Sequence, residues 1–147
     1  MGSFTTWLKG AFAAAGAVAG FLLGPIDALF FALAGAMCVD YATGVICAGM
    51  RGELSSKAGF KGLLRKVMIL ALVIVANLAD KVVPMANCAF RNMTIMFYIA
   101  NECLSIFENA VAMGLRVPEK LKQLLVRARD DAFDDAATGA DGGAGGE

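Results

Sequence analysis

The chain has 147 residues, 59% of them hydrophobic, with 13 basic and 13 acidic side chains and no histidine, and its mean hydropathy is +0.66. Soluble domains run at about 45–50% apolar residues, so a water-soluble fold of this length has nowhere to hide that surface. The balanced charge gives no nucleic-acid-binding face. With no histidine base, no glycine-rich phosphate loop and no metal-ligand spacing, the residues do not compose an active site, and neither an enzyme nor a bound cofactor or metal is expected.

The charges fall mostly in three stretches, 51–66, 80–91 and 116–135, with long uncharged runs between them. A bilayer imposes that segregation. The expected fold is all-α, a polytopic transmembrane bundle over 1–115 with helices at about 7–24, 26–50, 62–83 and 92–115. A C-terminal cytoplasmic amphipathic helix at 116–133 and a disordered, acidic, glycine-rich tail at 134–147 follow.

The first apolar run, Trp7 to Gly24, is marginal in length as a full span, and three spans remain if it does not cross. Gly16, Gly20 and Gly24 stack bare backbone on one face at four-residue spacing, and Gly44 with Ala48 repeats the pattern in the next run. Such small-residue ridges let helices approach closely in lipid, although alanine- and glycine-rich filler gives the same spacing. Gly24 and Pro25 then read as a tight hairpin.

The second run, Ile26 to Met50, is long enough at 1.5 Å per residue to cross a hydrocarbon core of about 30 Å. Asp40 sits in its middle with no basic residue within two turns, so it is neutral, paired across helices or wet. The next stretch, 51–66, sets Arg51, Lys57, Lys61, Arg65 and Lys66 against Glu53 alone. It belongs in the cytoplasm by the positive-inside rule. A third, aliphatic run reaches Val83. With four spans, both termini lie inside, and the hairpin at Asp27 and the loop from Asp80 to Arg91 lie outside.

In the fourth run Arg91, Thr94, Tyr98, Asn101, Glu102, Ser105, Glu108 and Asn109 project into an arc of roughly 120°. A polar stripe at membrane depth is either a static seam of interhelical hydrogen bonds or the lining of a water-filled path. Asp40 and the stripe from Tyr98 to Asn109 are the candidate seam or pore-lining residues. Beyond Leu115, Pro118 starts a segment that places Leu121, Leu124 and Leu125 on one face, the pattern of a basic helix lying against the inner leaflet. Cys38, Cys47 and Cys103 fall within helices as small apolar residues, whereas Cys88 falls in the outer loop, where an intermolecular disulfide is open to it.

In their order, VDYATGV at 39–45, GFKGLLRK at 59–66 followed by an aliphatic run ending in Asp80, FYIANECLSIFENA at 97–110 and VPEKLKQLL at 117–125 resemble the phage holins that include the clostridial toxin-secretion holins. The resemblance covers roughly residues 5–127, and the acidic tail departs from the family's short charged ending. It implies a protein of the bacterial cytoplasmic membrane that forms homo-oligomers and opens lesions through which an endolysin or a toxin leaves. The competing classes are an antiholin-like regulator, a non-lytic transporter or channel subunit, and a membrane anchor for a partner of the 116–133 segment. Internal repeats, the usual mark of a transporter, are not evident.

Overall fold

A computed structural model of the chain describes residues 2–83 and 87–141, with side chains described for 4–83 and 87–132. Its elements are five helices, α1 (Gly2–Leu23), α2 (Ala28–Met50), α3 (Ser56–Val82), α4 (Ala89–Ala112) and α5 (Glu119–Asp141), with no strand among the described residues. α1, α2 and α3 are long and apolar enough to cross a membrane. The sequence left the first run marginal, but its helix begins at Gly2 and reaches 22 residues, about 33 Å. It is α4, with Arg91, Glu102 and Glu108 in it, that falls short on composition.

Local chemistry sets each reversal. Asp27 caps α2 by accepting the Phe30 N–H at 2.9 Å. α2 ends with Gly52 at φ +69°, the Glu53 N–H bonding to Ala48 O at 2.9 Å and the Gly52 N–H to Gly49 O at 3.1 Å. α4 ends the same way, with Gly114 at φ +88° and the Leu115 N–H on Ala110 O at 3.0 Å. Both are Schellman closures, which need a residue tolerant of left-handed backbone. α4 begins without a cap of its own, because Cys88 makes no side-chain capping bond. Asp80 of α3 supplies one, its two oxygens accepting the Phe90 and Arg91 N–H groups at 3.0 and 2.8 Å.

Three stripes meet in the centre. Leu33, Met37 and Asp40 of α2, Lys66, Ile69, Val73 and Asn77 of α3, and Arg91, Ile95, Tyr98 and Glu102 of α4 recur at three- and four-residue spacing. Leu33, Met37, Ile69, Val73 and Ile95 form the apolar cluster, with Leu29, Leu70, Tyr98 and Ile99 packed on it. Most other large apolar side chains, among them Phe12, Phe31, Ile46, Met68 and Val75, are exposed. That surface is intelligible against lipid and costly against water.

α1 packs against α3 by its last turn. Asn77 Nδ2 donates to Phe21 O at 3.0 Å and to Leu22 O at 2.8 Å, and Lys81 Nζ donates to Phe21 O at 2.8 Å. The glycine ridge therefore fares unevenly. Gly16 and Gly20 face open space, and a Cβ on Gly44 would meet Asn109 at an ordinary 3.7 Å. Gly24 lies beyond the helix, at φ +78°, where a Cβ would stand 2.6 Å from Asn77 Oδ1 and 2.8 Å from Arg91 Nε. Its glycine serves a crowded turn and not a helix ridge.

α5, which the sequence places against the inner leaflet, folds back on α4 here and touches no other helix among the described residues. Ala100 and Leu104, half a turn around α4 from Glu102, are buried outside the central cluster on the side α5 covers. The reversal at Gly114 brings α5 there, with Leu125, Val126, Arg129 and Ala132 partly buried and Leu121 and Leu124 exposed. The helix runs to Asp141, past residue 133; residues 142–147 of the expected tail lie outside the described residues, as do 84–86 of the outer loop.

Substituting Gly24→Ala should lower the thermal unfolding midpoint in detergent, since left-handed backbone alone costs a non-glycine residue about 1–2 kcal/mol and Arg91 must move as well. Gly16→Leu should leave that midpoint nearly unchanged.

Candidate functional site

Asp40 lies ten positions before the end of α2, Lys66 ten positions after the start of α3, and Glu102 ten positions before the end of α4. At 1.5 Å per residue each is about 15 Å from the same end of the bundle, half the thickness of a hydrocarbon core of about 30 Å. There the three side chains meet. Lys66 Nζ donates to Asp40 Oδ2 and to Glu102 Oε2, joining α2, α3 and α4. The Lys66, Asp40 and Glu102 side chains are only 9, 14 and 2% exposed.

A single charge at a bilayer's centre costs about 2.5–3.5 kcal/mol on insertion scales, so none of these groups is tolerable alone. Of the three states open to Asp40, the structure selects pairing across helices. The partner is Lys66, which the sequence placed in the cytoplasmic basic stretch. One turn into the aliphatic run, it lies on the same stripe as Ile69 and Val73, and its ammonium is inside the bundle. Of its companions, Arg51 and Lys57 are exposed, with Arg51 Nη2 on Cys47 Sγ at 2.9 Å, while Lys61 and Arg65 line a cavity between α2, α3 and α4.

The polar stripe of α4 divides. Glu102 enters the ionic triad, and Ser105 and Asn109 line the same cavity. Asn109 Nδ2 donates to Thr43 Oγ1 at 3.1 Å, and Thr43 Oγ1 donates to Asp40 O at 3.0 Å. Tyr98 packs on the apolar cluster and meets Phe97 edge-on at 5.2 Å. Asn101 is half-buried to one side, and Glu108 is exposed.

A second polar layer, which sequence reasoning missed, closes the opposite end. Arg91 is fully buried. Its Nε donates to Leu23 O at 2.8 Å, Nη2 to Pro25 O at 2.5 Å and Nη1 to Asp27 Oδ2 at 3.1 Å. One guanidinium so ties the start of α4 to the α1–α2 hairpin, using donors that carbonyls and a carboxylate accept in fixed geometry. The Arg91 guanidinium, with the Phe30 N–H, holds the Asp27 carboxyl below the usual carboxylate range. The available signal was Arg91 itself, a cation at the head of the polar stripe with the hairpin acid Asp27 on the same side of the membrane.

Two expectations follow. Lys66→Met leaves two buried carboxylates without a counter-charge and should destabilise the bundle by about 3–5 kcal/mol, whereas Asp40→Leu, Lys66→Met and Glu102→Leu together should be neutral or stabilising; denaturant titration in mild detergent separates them. Because the folded-state pKa of Asp27 is depressed, its contribution is present above the unfolded carboxylate pKa and lost as pH falls through the folded one. Asp27→Asn should therefore flatten the acid limb of the stability profile.

The sequence pattern of the bacteriophage holin family matches residues 17–130. An uncharacterised protein of Listeria innocua is 46% identical over 111 residues, covering 76% of this chain and 79% of its own. An uncharacterised protein of Halalkalibacterium halodurans is 38% identical over 128 residues, covering 84% and 95%. A protein of Bacillus phage phi105 that carries the name "Probable holin" is 41% identical over 80 residues, covering 54% and 58%. No solved structure matches. The resemblance carried by the motifs at 39–45, 59–66, 97–110 and 117–125 is borne out: the chain belongs to the bacteriophage holin family, a class of membrane proteins that are not enzymes.

Proposed function

We propose that the chain is a holin that accumulates in a bacterial cytoplasmic membrane, oligomerises with copies of itself and permeabilises the membrane at a set time, releasing an endolysin or an exported toxin. The observation that carries this reading is the common depth of Asp40, Lys66 and Glu102. Three ionisable groups at one level, joined across three helices, hold a membrane bundle closed and become available to a neighbouring copy once they part.

In this reading α1, α2, α3 and α4 all span, with both termini and the α2–α3 loop in the cytoplasm. Lys9, Arg51, Lys57, Arg116, Lys120 and Lys122 then lie at the inner end, and Asp27 and Asp80 at the outer. α4 crosses in spite of its charges because Arg91 and Glu102 are spent on protein partners. α5 carries seven charged residues between Glu119 and Asp131, too many for hydrocarbon. In a bilayer it leaves α4 for the inner surface, and the face holding Ala100 and Leu104 turns to lipid or to a second copy.

Ser105, Asn109 and Glu102 face the interior of one molecule at low density and line a path between copies after assembly. Collapse of the membrane potential favours that change, since moving one charge across 100 mV is worth about 2.3 kcal/mol.

Inducing the chain alone in a bacterial host should give abrupt depolarisation after a delay, with lysis only when a cytoplasmic cell-wall hydrolase is co-expressed; steady growth with intact potential would favour the regulator or transporter readings. Glu102→Gln should shift the delay more than Glu108→Gln, because Glu102 is in the triad and Glu108 is exposed. Equal delays in both variants and the parent would count against a role for the triad in timing.

A further inference from the structure

The cavity beside the triad has a volume of about 390 Å³ and runs from Leu54 and Ser55 of the α2–α3 connection, past Lys61, to Asp40, Lys66 and Ser105. From Ala58 to Lys66 along α3 is eight residues, about 12 Å. Asp40 lines its deep end, and the Oδ1 atom of that residue is buried with no hydrogen-bond partner within the protein, an arrangement that costs about 1–3 kcal/mol or more for a charged acceptor. A space of this size, with Asp40, Lys66, Ser105 and Asn109 among its lining residues, admits on the order of ten waters at about 30 Å³ each.

On the far side of the triad the bundle is different. Leu33, Met37, Ile69, Val73 and Ile95 close it, each at most 8% exposed and none able to bond water. The triad itself is one proton short of neutrality, with two carboxylates and one ammonium. The ionisable groups facing it are Tyr41 from α2, Lys61 and Arg65 from α3, all lining the cavity, and Cys103 from α4.

We propose that this cavity is a water-filled vestibule that exchanges the triad's proton with the compartment on the α2–α3 loop side alone, the apolar cluster sealing the other side. The inference rests on the membrane-spanning orientation proposed above and not on lytic activity.

Two measurements in membranes holding the full chain below lytic density test it. In a chain whose four cysteines are replaced, Ala48→Cys and Ser105→Cys report the vestibule, Leu33→Cys and Val73→Cys the seal, and Ser56→Cys the loop. A membrane-impermeant methanethiosulfonate is applied to inside-out and to right-side-out vesicles. Labelling of both vestibule positions from the face that labels Ser56→Cys, with neither seal position labelled from either face, is the expected result. Silent vestibule positions or reactive seal positions would overturn the vestibule. Labelling of Ser56→Cys from the outer face would overturn the orientation alone, and the vestibule is then scored on that face.

In the parent chain, a lipid-soluble carbodiimide reacts with protonated carboxyls, and mass spectrometry reads Asp40 and Glu102 against Glu108. Acidifying the loop-side bath should raise their labelling by up to about tenfold per pH unit, the limit for one titrating proton, while acidifying the opposite bath should not. A response to the opposite bath, or none to either, would overturn one-sided exchange.

Discussion

An ammonium group halfway through a bilayer has to find a carboxylate, and Lys66 finds two, on two other helices. Lipid gives apolar helices little reason to prefer one another over acyl chains, so in such a protein the polar contacts decide which helices pair and in what register. A slip of one position along α2 or α4 moves its carboxylate by 1.5 Å and turns it by about 100°, and it leaves a charge with no partner at a depth where that is least tolerable. The aliphatic residues around the triad fill space. The triad fixes where they fill it.

Arg91 does the same work at the opposite end of the bundle by a different chemistry. It satisfies carbonyls that a helix terminus and a tight turn leave exposed, together with Asp27. Asp80 reciprocates by capping the helix that Arg91 belongs to. Between these two polar layers lies a dry stretch about three turns of helix deep, bounded on α4 by Arg91 and Glu102. Alternating polar and apolar levels along a bundle separate the parts that can rearrange by exchanging hydrogen bonds from the part that can rearrange only by opening a void.

Much of this was legible in the sequence because hydropathy and charge segregation report spans directly. α2 appears there nearly at its observed ends, α3 ends where expected but starts six residues earlier, at Ser56 and not at about 62, and the polar arc of α4 contains the residues that turn inward. Lys66 was not legible, because a run of basic residues at a membrane boundary is ordinarily cytoplasmic. Only its register with Ile69, Val73 and Asn77 distinguishes it from Arg65 beside it. Gly24 was grouped with Gly16 and Gly20 by spacing, but its task depends on Asn77 and Arg91, more than fifty residues away. The placement of α5 was not legible either, since an amphipathic pattern fixes which face is apolar and says nothing of what covers it.

The attachment of α1 by its last turn has a further consequence. The hairpin from Gly24 to Asp27 joins that helix to the rest of the bundle, and the groups that hold the helix, Asn77, Lys81 and Arg91, recognise main-chain oxygens that every copy of the chain presents alike. A neighbour's α1 would satisfy them as well as the molecule's own. Exchange of that arm between copies creates no new interface and sacrifices none, which is the thermodynamic condition for domain swapping. Exchange needs two copies, so by mass action it is favoured by crowding in the plane of the membrane.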